Sequence, residues 1–153
     1  MSDQPPNMAQ TLAQGMSGGS PHAVALGIEV ISVDKSGALM KVPYDKKLVG
    51  DPSTGVIAGG VVTALLDHCC GSAVHTQMTE YSMIATLDLR IDYMRAAEPG
   101  KAIFAKAHCY KLTRSVAFVR AVAYDDNPDD PVAAAQAAFM LNTGPAPQLG
   151  SGA

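Results

Sequence analysis

Four residues of one segment, Gly60, Ala64, Asp67 and Gly71, fall at spacings of four, three and four. On a helix that places them along a single stripe. Three are minimal side chains, past which another backbone or a ligand can approach closely. The fourth is a carboxylate among Val61, Val62, Leu65, Leu66, Cys69, Ala73 and Val74. A carboxylate on so apolar a helix is costly unless it is paired, hydrogen-bonded or put to use. Asp67 therefore has two readings: a structural partner of His68 or an arginine, and a general base or nucleophile. Gly59 and Gly60 bear on the choice. They open the segment with no Ser, Thr or Asp before them, so the first-turn N–H groups lack the usual side-chain acceptor. Free N–H groups at a positive helix end suit an oxyanion, although a tight turn into the helix would use the same glycines.

The same helix carries His68, Cys69, Cys70 and His75. His68 and His75 share a face, which makes a metal site conceivable. Cys69 and Cys70 point elsewhere, however, and neither C-x-x-C nor H-E-x-x-H occurs, so the cysteines read as small apolar residues. A Cys–His nucleophile pair fails because adjacent helical positions do not face each other. Asp88, Arg90, Asp92 and Arg95 form a charged strand face, solvated or subunit-facing, with cross-strand pairs. No Walker, G-x-G-x-x-G or G-x-S-x-G pattern is present.

The elements that would position these residues are well punctuated. Ala25–Asp34 and Ala38–Tyr44 flank Lys35-Ser36-Gly37 and read as a hairpin. Asp51–Gly55 is a turn cluster, and Gly60 to about Met78 is the only long helix. Met83–Arg95 alternates, with Leu87, Leu89, Ile91 and Tyr93 on one face and Asp88, Arg90 and Asp92 on the other; Thr86 shares the charged parity. Strands over about Ala102–Leu112 and Ser115–Tyr124 follow, then an acidic turn from Asp125 to Pro131. The alanines of Val132–Leu141 favour helix by propensity, but a last strand fits equally. One amphipathic helix beside a mostly antiparallel sheet is an α+β design. The boundaries expected are a flexible segment over 1–20 with a short helix around Met8–Gln14, one domain over 21–142 and a fraying tail over 143–153.

Composition agrees. The chain has 153 residues, enough for one domain, and its 48% hydrophobic and 16% charged residues can build a core. Eleven Lys and Arg against 14 Asp and Glu give a formal charge of −3, which argues against a dedicated nucleic-acid binder. The longest aliphatic runs, such as Val61–Leu66, fall far short of the roughly 18 residues of a membrane helix. The opening MSDQPPNMAQ has no basic region ahead of an apolar one, so no signal peptide is expected. Three cysteines without a C-x-x-C read as reduced thiols in a cytoplasm.

Taken together, these residues resemble a family. The glycine pair with an acid eight residues after Gly59, then TLDLRIDYMRAA, then RSVAFVRA is similar to the hotdog-fold acyl-CoA thioesterases of the phenylacetate-degradation (PaaI) type, from about Gly27 to Leu141. The resemblance implies a hotdog fold, one long central helix wrapped by a curved antiparallel sheet of five to six strands. It makes Val132–Leu141 a strand. It implies self-association as a dimer or dimer of dimers, an acyl-CoA substrate, and no metal or organic cofactor. The family's catalytic acid falls on Asp67, its oxyanion amide on Gly59 and its hydroxyl partner on Thr86. Gly60 and Ala58 border the thioester, and Arg114 and Ser115 lie where CoA phosphates are met. Two departures stand out: the family's motif His is Ala58, and the upstream turn that often carries Asn reads Asp51-Pro52-Ser53-Thr54. A catalytically weak or inactive acyl-CoA-binding dimer is therefore the alternative to a hydrolase. A hotdog dehydratase is a weaker third reading, because its His has no counterpart here.

Overall fold

Where the pattern suggests a strand from Ala25, the chain first makes a short helix, α1 (Pro21–Leu26). Ser20 caps it through its hydroxyl, Pro21 occupies the first helical position, and Gly27 ends it in the left-handed region at φ 74°. The expected hairpin then follows in shortened form, as β1 (Glu29–Asp34) and β2 (Gly37–Val42). Its turn is closed by the Asp34 carboxylate, which accepts from the Ser36 N–H at 2.7 Å. Gly37 has φ 136°, and a Cβ there would lie 2.1 Å from the Ala107 carbonyl oxygen, so only glycine lets β2 sit beside its neighbour. The computed structural model describes residues 20–142. The helix expected around Met8–Gln14 and the tail from Thr143 lie outside them.

The Asp51–Gly55 turn joins two very short strands, β3 (Val49–Asp51) and β4 (Val56–Ile57). This small hairpin delivers the chain to α2 (Gly59–Gln77), the long helix expected from the sequence. Gly50 lies against the helix start: a Cβ on it would come within 2.9 Å of the Ala58 Cα. After the helix come β5 (Ile84–Tyr93), β6 (Ile103–Leu112), β7 (Val116–Tyr124) and β8 (Ala133–Leu141). The last of these settles the ambiguity of the alanine-rich segment in favour of a strand. Its burial alternates, with Ala133, Ala135, Ala137, Phe139 and Leu141 inside. Small residues serve there because the helix lies close above them; packing overrides helix propensity.

The main sheet is antiparallel throughout, in the order β1-β2-β6-β7-β8-β5. α2 lies across it, chiefly over β6, β2 and β7. Leu65, Leu66, Cys69 and Val74 of the helix are buried, as are Met40, Val42, Ala105, Val119 and Ala123 of the sheet. Each fully buried leucine contributes roughly 2 kcal/mol relative to exposure. Among the described residues, β5 is an edge strand held only by β8. Its exit is tied down just beyond Tyr93, where the Arg95 guanidinium makes a bidentate pair with Asp125 at 2.6 and 2.9 Å. The Asp125 side chain is 3% exposed and also accepts from the Glu98 and Asp126 N–H groups. Arg95 thus leaves the charged strand face expected for it and reaches across to the loop before β8.

Candidate active site

The helix start is bare, as the sequence implied. Ala58 precedes it at φ −57° and ψ 137° with no side-chain cap. Its own N–H bonds to the Leu48 carbonyl at 2.9 Å, and its carbonyl accepts from Val61 at 3.0 Å. Between them, the Gly59 and Gly60 N–H groups have no acceptor among the described residues. Both glycines are exposed, and a Cβ on Gly60 would meet nothing within 4 Å. Two adjacent open donors at the positive end of a 19-residue helix form an anion-binding corner.

Two turns further on, Asp67 is half-buried, and its Oδ1 accepts from the Thr86 hydroxyl at 2.9 Å. Simple alternation turns Thr86 the other way, with Asp88, Arg90 and Asp92. A β-bulge corrects it. Thr86 lies opposite Phe139 and Asp88 opposite Ala138, so Leu87 is an extra residue with no partner in β8. Thr86 consequently shares the helix-facing side of Leu89 and Ile91, which lie opposite Ala137 and Ala135. Leu87 does not join that face and stays 51% exposed. Asp88, Arg90 and Asp92 remain exposed on the outer face. The ion pair found there, Arg90 to Asp92 at 3.4 Å, runs along the strand rather than across it.

Asp67 and Thr86 are thus brought together, and the Arg114-Ser115 turn lies at the same end of the sheet. Ser115 accepts from the Leu141 N–H at 2.9 Å, and Leu141 lies opposite Ile84. Arg114 and Ser115 are both exposed. Ala58, Gly59 and Gly60 sit at the other end of β5, beside Tyr93. Eight residues of helix separate Gly59 from Asp67, about 12 Å at the helical rise. One chain therefore holds the acid with its hydroxyl partner and the pair of open amides at two separate places.

Tyr93 and Thr63 are the polar residues of this region that the sequence did not single out. The Tyr93 hydroxyl donates to the Gly59 carbonyl at 2.8 Å. Thr63 lies four residues after Gly59, where a threonine hydroxyl can reach back to that carbonyl, and it does so at 3.2 Å. That spacing was the one available signal; nothing in the alternation marks Tyr93 as other than core.

The cysteines and His75 are engaged elsewhere, and the His68 Nε2 is buried with no hydrogen-bond partner among the described residues. Cys69 Sγ contacts the Ala38 and Ala105 carbonyls, and burial pushes its thiol up to about 12, which keeps it from acting as a thiolate at neutral pH. Burial raises Cys70 and Cys109 as well. The His75 ring nitrogens face the Gly71 and Ser82 carbonyls at 2.9 and 3.3 Å. Among the described residues no three His, Cys, Asp or Glu side chains converge as metal ligands, and no helix is long and apolar enough to cross a membrane.

An antiparallel sheet of six strands packed on one long helix is the hotdog arrangement. Residues 54–132 match the thioesterase superfamily, and the chain belongs to it. The Salmonella typhimurium protein YigI, a medium/long-chain acyl-CoA thioesterase, is 27% identical over 134 residues, covering 79% of this chain and 85% of YigI. Among solved structures, a Pseudomonas aeruginosa protein is 37% identical with a TM-score of 0.80 over 86% of this chain and 98% of its own. The Escherichia coli PaaI protein from the phenylacetic acid degradation operon shares the fold, with a TM-score of 0.77 at 20% identity over 89% and 94% of the two chains.

Proposed function

We propose that this protein hydrolyses acyl-CoA thioesters. The observation that carries the reading is the Thr86–Asp67 contact. It fixes one carboxylate oxygen and leaves the other without a partner among the described residues. In this reading the free oxygen takes a proton from water as the water attacks the thioester carbonyl; or it attacks that carbonyl itself, expelling the CoA thiolate and forming a mixed anhydride, which water hydrolyses to the free acid and the Asp67 carboxylate, the released proton going to the thiolate. The carbonyl oxygen gathers negative charge and is met by the Gly59 N–H. The C–S bond then breaks, and CoA leaves as the thiol once the proton reaches its sulfur. Arg114 and Ser115, exposed at the Asp67 end, would meet CoA phosphates.

A catalytic acid and an oxyanion donor must each come within roughly 3 Å of one thioester, which the half-sites of one chain cannot do. Thr86 and Tyr93 are about 23 Å apart along β5 at 3.3 Å per residue. Two chains pairing these edge strands antiparallel, about a twofold axis near Arg90, would set Asp67 of one against Gly59 of the other. The functional unit in this reading is a dimer with two composite sites.

Ala58 favours one other reading. Its methyl group stands where the family's His would help hold the carbonyl, so a dimer that binds acyl-CoA without turning it over is the second possibility. Free-thiol release from short- to long-chain acyl-CoAs separates the two, with medium- and long-chain thioesters, the substrates named for YigI, tested first. Steady release is expected. Tight binding without release would favour the binding protein.

A further inference from the structure

Tyr93 lies 34 residues from Gly59 in sequence, yet its hydroxyl donates to the Gly59 carbonyl at 2.8 Å. Its ring packs over the same glycine, 3.7 to 3.9 Å from where a Cβ would stand. The Thr63 hydroxyl touches both the carbonyl, at 3.2 Å, and the Tyr93 oxygen. Two hydroxyl protons must serve three contacts. The shorter carbonyl contact belongs to Tyr93, so the consistent arrangement has Thr63 donating to Tyr93 and Tyr93 donating to the carbonyl. Hydrogen bonds in such a chain polarise one another.

The Gly59 carbonyl shares its peptide plane with the Gly60 N–H. Fixing the carbonyl therefore fixes where that N–H points. Drawing electron density onto the oxygen also makes the N–H a better donor, because the two ends of an amide are conjugated. Nothing in the core requires Tyr93 to be there: it is 51% exposed, in a contact made largely of hydroxyls. It nonetheless stands on rigid backbone, since Arg95, two residues on, is locked to Asp125. Gly60, for its part, has no described neighbour that its missing Cβ would accommodate.

We infer that Tyr93 is a positioning residue for the reaction. It holds the 59–60 peptide so that the Gly60 N–H stands beside the Gly59 N–H as a second donor to the thioester oxygen, and Thr63 supports its hydroxyl. This rests on the thioesterase reading above.

Tyr93→Phe keeps the ring over Gly59 and removes only the hydroxyl. Its kcat is expected to fall about 3- to 10-fold with KM within twofold, less than the roughly 10²- to 10³-fold that follows loss of a whole oxyanion donor. In the ligand-free protein the Gly60 amide nitrogen resonance should move upfield, a change that a merely structural role would not produce. Thr63→Val should shift kcat and the Gly60 resonance the same way, by less. An unchanged kcat in folded Tyr93→Phe overturns the inference, as does a loss confined to KM. A fall in kcat that accompanies a lower Tm while the Gly60 resonance stays put overturns it as well. If Tyr93→Phe does not fold, the Gly60 resonance of Thr63→Val decides: movement supports the inference and none overturns it. A wild-type chain that releases no thiol from any thioester counts against the thioesterase reading instead, and the Gly60 resonance still tests whether Tyr93 sets that peptide.

Discussion

A single hydrogen bond of 2.9 Å from Thr86 holds the half-buried Asp67 carboxylate that the proposed function uses as base or nucleophile. Asp67→Asn retains an oxygen to accept that bond and loses the charge. The variant should fold, keep its association state and lose about 10²- to 10⁴-fold in kcat; full activity in a folded Asp67→Asn protein would return the residue to a structural role. Ala58→His tests the departure at the helix start. The backbone there, at φ −57° and ψ 137°, suits any residue, so higher kcat or lower KM is expected without a change of fold. Tight acyl-CoA binding with no gain would favour the binding reading. Asp67 was legible in the sequence because a lone carboxylate interrupts a small-residue stripe at helical spacing. Thr86 was not legible from alternation: the bulge at Leu87 carries no Gly or Pro to announce it, and only the resemblance to the family pointed to the residue.

At the scale of elements, the long helix and the β1–β2 turn are where the punctuation placed them. Local patterns missed α1, because Ala25 and Leu26 satisfy a strand pattern while the Ser-Pro helix start lies upstream of them. They also left β8 open, because its strand character comes from the helix packed above it rather than from its own alanines. The Arg95–Asp125 pair was invisible for a related reason: its partners are 30 residues apart and meet only once β5 and β7 are in place. Asp125→Ala would remove the carboxylate that pairs with Arg95 and accepts from two N–H groups, leaving Arg95 its contacts to the Ala96 and Asp130 carbonyls and the Asp130 carboxylate. A loss of about 3 kcal/mol, or about 10 °C in Tm, is expected at pH 7. The guanidinium beside Asp125 holds its carboxyl well below the usual carboxylate range. The stability it adds is therefore complete above the unfolded value, near 4, and is lost only as pH falls toward the folded one. Melts of the two proteins should keep a constant gap from pH 8 to about pH 5 and converge in stronger acid.

For the whole molecule, the proposed dimer would make activity a property of two chains, with Asp67 and Gly59 at opposite ends of β5. Mixing Asp67→Asn with Gly59→Pro tests this. Proline suits the first helical position and deletes the Gly59 N–H while adding a ring beside Tyr93, so each parent should be folded and strongly impaired. Mixed dimers regain one complete site if the halves come from different chains, and stay impaired if they come from one. Sedimentation at micromolar concentration should show a dimer or a dimer of dimers; a monomer would overturn the composite site. The two borders of the sheet also differ. β1 offers six residues broken by an irregularity after Val30, with Glu29 and Asp34 at its ends. β5 offers ten, paired with β8 on one side and with no strand on the other among the described residues, although its bulge at Leu87 interrupts them. In the proposed dimer the two longer β5 borders cover each other, and the doubled sheet presents only the shorter β1 borders. Growth would stop at a fixed mass, so a chain with so long an edge strand should stay dispersed on concentration instead of polymerising into fibres.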